Sequence, residues 1–151
     1  DLSTGEFELR RVLGSGELLD ELSRLAPAEV LVVENTEPLS GPWILTQRPE
    51  WRFDPSLGEE KLCDRFNVGS IAGFGLNTGD DVILLAASGA LLGYLEEVRP
   101  TGLNHLRQPR GTRGGLAAST GRQGGTVRPG LADHTPRIQG ATIASGSRGG
   151  G

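Results

Sequence analysis

The carboxylates Asp1, Glu34 and Asp81 are the first residues to which a chemistry can be attached. Cleavage of a phosphodiester by two metal ions needs several carboxylates converging on cations roughly 3.5–4 Å apart. Asp1 opens the run Asp1-Leu2-Ser3-Thr4-Gly5, and Glu34 and Asp81 are carboxylates that a fold could carry towards it. No spacing rule selects those two as partners. The competing reading makes Asp1 a turn residue, because an Asp side chain bonds its own backbone two residues on and Ser, Thr and Gly follow it.

Other candidates are thinner. Cys63, His105 and His134 fall short of the four ligands that a structural zinc site takes at characteristic spacings. Cys63 reads as a small core residue and His105 as a structural residue after a long helix. No Gly-x-x-x-x-Gly-Lys-Ser/Thr run occurs, so the chain carries no phosphate-cradling loop of that type. Trp43 and Trp51 could each anchor a partner. Trp51 stands beside Phe53 and is expected in the core, whereas Trp43 follows Gly41-Pro42 in a loop and is expected exposed.

The elements that must position these residues follow from periodicity. Residues 1–5 read as a turn, and 6–12 alternate as a half-buried strand with Phe7 and Leu9 inward. Ser15 is placed to cap a helix over 17–25 with the stripe Leu18, Leu22 and Leu25, stopped by Pro27. Val30-Leu31-Val32-Val33 is an uninterrupted apolar run, which predicts a central strand buried on both faces and parallel to a neighbour. Short strands are expected at 44–47 and 51–53 around Pro49. Ser56 is placed to cap a helix over 57–66, with Glu59 completing a capping box. Residues 69–79 read as a loop anchored by Ile71, Phe74 and Leu76. Asp80 and Asp81 open the strongest helix, which runs to Val98 before Pro100. Gly89 and Gly93 share one face of it and permit a close backbone approach there. Helix alternating with strand predicts a layered α/β domain.

Charge and glycine divide the chain near Pro109. Residues 1–108 carry 9 Lys/Arg against 18 Asp/Glu, while residues 109–151 carry 6 Arg against Asp133 alone. Each part holds 12 Gly, so the shorter part is glycine-dense and has no aromatic residue. Such a tail cannot bury enough apolar surface to offset its ordering entropy and is expected to be disordered. Its arginines could follow a phosphate backbone, but no aromatic groups stand among them for bases to stack on. The acidic body is a poor nucleic-acid surface. A lone cysteine excludes a disulfide framework and suits a reducing, cytoplasmic setting. No apolar run reaches the roughly 18 residues of a membrane span. With no Met and an opening in the middle of a motif, the chain is expected to be an internal fragment.

Six motifs in order then carry a resemblance. They are Asp1–Phe7; Pro27-Ala28-Glu29-Val30-Leu31; Trp51, Phe53 and Asp54 before Leu62 and Phe66; Gly73–Leu76; Ala86–Leu95; and Leu103–Leu106. In this order they resemble the connector domain of the MutS family of DNA mismatch-repair proteins, over residues 1–108. After that, Leu116–Arg122 echoes a following family segment and Gln123-Gly124-Gly125 breaks it.

The resemblance implies an RNase H-like fold, a mixed sheet flanked by helices. The chain would start at the turn after the first, central strand, so that strand would be largely missing. RNase H-like nucleases set a metal-binding Asp on that strand, which is the context Asp1 would share. The MutS connector itself implies no nuclease, and the family's mismatch-reading Phe-x-Glu belongs to another domain, so Phe7-Glu8 reads as core. The resemblance assigns no catalytic, cofactor-binding or metal-binding residue to this chain. It implies a parent that binds mismatched DNA, hydrolyses ATP with magnesium, dimerises and works with a downstream partner such as MutL. The alternatives are an RNase H-like metal-dependent nuclease and a non-enzymatic interaction module with a basic tail.

Overall fold

A computed structural model describes residues 1–112 and 142–144, the residues from 111 onward by their backbone alone. The chain order is β1 (Glu8–Arg10), α1 (Gly14–Leu25), β2 (Glu29–Val33), β3 (Ile44–Arg48), α2 (Pro55–Phe66), α3 (Val82–Val98), β4 (Arg110–Thr112) and β5 (Thr142–Ala144). Single 3-10 turns stand at Glu50–Phe53, Ile71–Phe74 and Gly102–His105.

The apolar run of β2 does what its composition demands. Val30, Leu31 and Val32 are buried, and their side chains part to opposite faces with the period of two of a strand. Leu31 joins a core with Leu62 of α2 and Leu85, Leu92 and Leu95 of α3. Val30 and Val32 join a smaller core with Leu18 and Leu22 of α1, against which Trp43 and Leu45 pack. The chain is therefore layered, with α1 on one side of β2 and the α2–α3 pair on the other. β2 pairs in parallel with β3, Glu29 facing Ile44, and antiparallel with β5, Glu29 facing Ala144.

β1 stands apart from that sheet. It pairs in parallel with β4, Glu8 facing Arg110, and no ladder joins it to β2 among the described residues. The expected single mixed sheet is thus two small sheets. Gly5 begins the approach of the 105–112 segment: its φ is +72° and a Cβ there would collide with the His105 carbonyl. Arg107 N then donates to Gly5 O at 2.8 Å and Arg110 N to Phe7 O at 3.0 Å. Phe7 is buried and stacks on Phe66, 6.3 Å between centroids, as a core residue should.

Several local expectations need correction. The first helix starts at Gly14, with Leu13 and not Ser15 at its N-cap. Glu17 turns back to accept from Leu13 N at 2.6 Å, which satisfies a donor that the helix cannot. Asp54, not Ser56, caps α2, accepting from Ser56 N and Leu57 N at 2.7 and 3.2 Å. Pro55 fills the first helical position, where its missing N–H costs nothing. Residues 51–53 are no strand. Residues 50–53 instead coil into a 3-10 turn between Pro49 and the cap at Asp54, with Arg52 N donating to Pro49 O at 3.0 Å. The expectation of a disordered 109–151 segment lies mostly outside the described residues; the described triplets β4 and β5 within it are strands.

The long helix is placed by glycines. α2 crosses α3 with Gly58 against Leu85 and Gly89: a Cβ on Gly58 would strike the Leu85 carbonyl, and one on Gly89 would come 2.8 Å from Gly58 Cα. At Gly93 a Cβ would sit in ordinary contact, 3.4 Å from Lys61 Cε and 3.6 Å from an Arg52 guanidinium nitrogen. These contacts set α3's C-terminal turns over β2, β3 and the 50–53 turn.

Candidate functional site

The polar side chains that converge from most elements do so at that end of α3. Glu29 opens β2, Thr46 and Arg48 lie on β3, Trp51 and Arg52 on the 3-10 turn, Lys61 on α2, and Tyr94, Glu96 and Glu97 on α3. Tyr94 and Glu97 are three apart on the helix, so both reach the same neighbouring strand.

Glu29 is the inner hub. Its Oε1 accepts from Tyr94 Oη at 2.6 Å and from Thr46 Oγ1. The Glu29 carboxylate holds the Tyr94 hydroxyl proton in place and, with burial, pushes that hydroxyl's pKa above its usual value. Tyr94 is therefore a donor that ties α3 to β2, not a group poised to lose its proton. Arg48 lies over the Tyr94 ring, 5.2 Å from its centroid, and pairs with Glu97.

Glu97 is the outer hub. Besides Arg48 it binds Arg52 at 2.6 Å. The hydrogen bond from Arg48, reinforced by both guanidinium charges, holds its carboxyl below the usual carboxylate range. Arg52 stacks on Trp51, 4.3 Å from guanidinium carbon to ring centroid. Lys61 completes the row with Glu96 at 2.5 Å. The arrangement cross-links β2, β3, the 50–53 turn, α2 and α3 through charge-assisted bonds. Its cations are consumed by its carboxylates.

The residues singled out in the sequence do not assemble. Asp1 stays in its turn, where Oδ1 accepts from Ser3 N at 2.8 Å and Ser3 Oγ at 2.7 Å. Glu34 is exposed beyond the end of β2. Asp81 accepts from Asn77 N at 2.9 Å and pairs with Arg11 at 3.2 Å. No group of three or more His, Cys, Asp or Glu that could hold a metal ion forms among the described residues. His105 is exposed, and Cys63 is half-buried among apolar neighbours, where burial raises its thiol pKa. His134 lies outside the described residues. The two tryptophans exchange their expected roles. Trp43 packs on the smaller core and donates to Leu39 O at 3.2 Å, whereas Trp51 is 63% exposed.

A cleft between the first turn and the 107–110 segment is lined by Glu6, Phe7, Arg107, Gln108 and Arg110 and measures about 30 Å³. Ligand pockets run to several hundred Å³, so this cleft suits a water or two. No described helix is long and apolar enough to cross a membrane.

Residues 1–107 match the family model described as MutS domain II. Among curated proteins, the chain is similar to a DNA mismatch repair protein MutS of Rhodopirellula baltica. The two are 37% identical over 111 residues, which cover 71% of this chain and 12% of that protein. The chain thus spans about an eighth of the length of the relative it matches.

Proposed function

The chain belongs to the MutS family, matching its domain II, and from that premise we propose that it serves DNA mismatch repair as a connector between a mismatch-reading domain and an ATPase core. The observation that supports this reading is the polar lattice on α3. Glu29, Tyr94, Arg48, Glu97 and Arg52 bond one another across β2, β3, the 50–53 turn and α3. A body cross-linked in this way moves as one piece, which is what transmitting a displacement between two flanking domains requires. Mismatched DNA, ATP and magnesium are bound by the parent's other domains, in a cytoplasmic dimer that recruits a partner such as MutL.

The test is genetic. Residues 1–107 replace the matched segment in the relative from Rhodopirellula baltica, and the chimera is expressed in cells lacking their own mismatch-repair protein of this family. The chimera is expected to restore a low mutation rate. A mutation rate equal to that of the empty cells, with the chimera folded and still binding mismatched DNA, would overturn the connector role.

A further inference from the structure

The basic tail returns one strand to the acidic body. β2 is the central strand of its sheet, with β3 along one edge and β5 along the other. β3 pairs with all five residues of β2, whereas β5 reaches only Glu29, Val30 and Leu31. Residues 113–141 separate β4 from β5 in sequence.

The backbone bonds at the two ends of β2 assign its residues to its edges. Ile44 N donates to Ala28 O and Glu34 N to Arg48 O, both at 2.9 Å. Along an unbroken strand the bonding groups alternate from one edge to the other. Val30 and Val32 therefore turn their N–H and C=O groups to β3, and Glu29 and Leu31 turn theirs to the opposite edge. The register then makes Glu29–Ala144 and Leu31–Thr142 the hydrogen-bonded pairs, with Val30–Ile143 the non-bonded pair between them. Leu31 is wholly buried, and a buried backbone group without a partner costs as much as a lost hydrogen bond. β5 supplies that partner.

The tail's sequence suits this role. Thr142 and Ile143 are adjacent β-branched residues between Gly140 and Gly146, a short strand signal bounded by breakers. Residues 109–151 carry 6 Arg against Asp133, while residues 1–108 carry 18 acids against 9 bases, so the tail is drawn back to the body. Closing the loop over 113–141 opposes the return, and a three-residue ladder has few bonds to set against that entropy.

We propose that residues 142–144 are a reversible strap, laid along the edge of β2 that β3 leaves open. The strap satisfies the Glu29 and Leu31 backbone and closes that edge to strands of other chains. It lifts while β2, β3 and the helices stay packed, as a local opening of a weakly held element. The device goes beyond the connector reading, since it needs neither flanking domain.

The experiment follows amide hydrogen exchange by NMR in the full chain and in the double variant Thr142→Pro, Ala144→Pro, which removes the two N–H groups that β5 donates to β2. In the variant the Glu29 and Leu31 amides should exchange at least about tenfold faster, because the bonds that protect them are gone. The Val30 and Val32 amides, bonded to β3, should keep their native rates and so report that the body is still folded. In the native chain the protection of Glu29 and Leu31 should not change on dilution, since the strap comes from the same chain. The proposal is overturned if Glu29 and Leu31 exchange alike in both chains. It is overturned too if Val30 and Val32 accelerate with them, because the strand would then be part of the body and no strap. Protection that fades on dilution would overturn it by showing that the strand comes from a second copy.

Discussion

A side chain on Gly89 would begin 2.8 Å from the Cα of Gly58, so α2 and α3 meet backbone to backbone. That contact lowers α3 onto the core, where Leu85 and Leu92 are almost wholly buried and Leu62 of α2 wholly so. It also brings Tyr94 and Glu97 within reach of β2, β3 and the 50–53 turn.

Gly58→Ala is expected to destabilise the chain although alanine is the better helix former by about 1 kcal/mol. The added methyl would strike the Leu85 carbonyl, and backbone cannot swing aside as a flexible side chain can. Overpacking of this kind typically costs about 1–3 kcal/mol. Thermal unfolding followed by circular dichroism should show a melting temperature several degrees lower; an unchanged or raised value would remove the close crossing from the account.

Asp54→Ala should cost about 1 kcal/mol through loss of the α2 cap. Ser56→Ala should change stability far less, because its hydroxyl is not the cap. Chemical denaturation of the two variants side by side checks the assignment, and the reverse order would restore Ser56 as the capping residue.

The lattice gives stability a dependence on pH at both ends. The carboxyl of Glu97 is held below its ordinary value of 4.5 by Arg48 and Arg52. Its contribution is present above that ordinary value and is lost as pH falls through the lowered one. Tyr94 is held above its ordinary value of 10.0 by Glu29. Its contribution is present below pH 10.0 and is lost as pH rises through the raised value. Glu97 is exposed, so solvent screens its share heavily. The lattice's share of stability should therefore be level between these limits, fall at strongly alkaline pH, and fall modestly in acid. Tyr94→Phe should remove part of the alkaline fall, and an alkaline limb unchanged in that variant would show that Tyr94 does not carry it.

Much of the layering was legible because it is local. Val30-Leu31-Val32 could only be a strand covered on both sides, and the Leu18–Leu22 spacing could only face inward from a helix. The cap of α2 is also legible, since Asp54 followed by Pro55 is a helix start, although Ser56 two residues on offers a competing capping residue. The candidate site was not legible. Glu29 and Tyr94 are 65 residues apart, and Arg48 and Glu97 are 49 apart. No sequence period links such residues; only the packing of α3 against β2 and β3 does. The tryptophans were misassigned for a related reason. Neighbours in sequence suggest burial, but burial depends on which side of the chain the sheet lies. Gly89 lies at the close backbone approach expected of that helix face, whereas Gly93 meets the ends of the Lys61 and Arg52 side chains; the partner Gly58 stayed hidden because the contact joins two helices.

If the α3 lattice makes this chain a rigid transmitter, mismatch-stimulated ATP hydrolysis by the chimera that carries residues 1–107 depends on that lattice. The ratio of hydrolysis rates with mismatched and matched duplex is measured for the native lattice and for the double variant Tyr94→Phe, Glu97→Gln. The account predicts a ratio well above one for the native lattice. For the variant it predicts a ratio falling towards one, with mismatch affinity and the unstimulated rate unchanged. A variant that hydrolyses ATP with the full mismatch-dependent stimulation would contradict it.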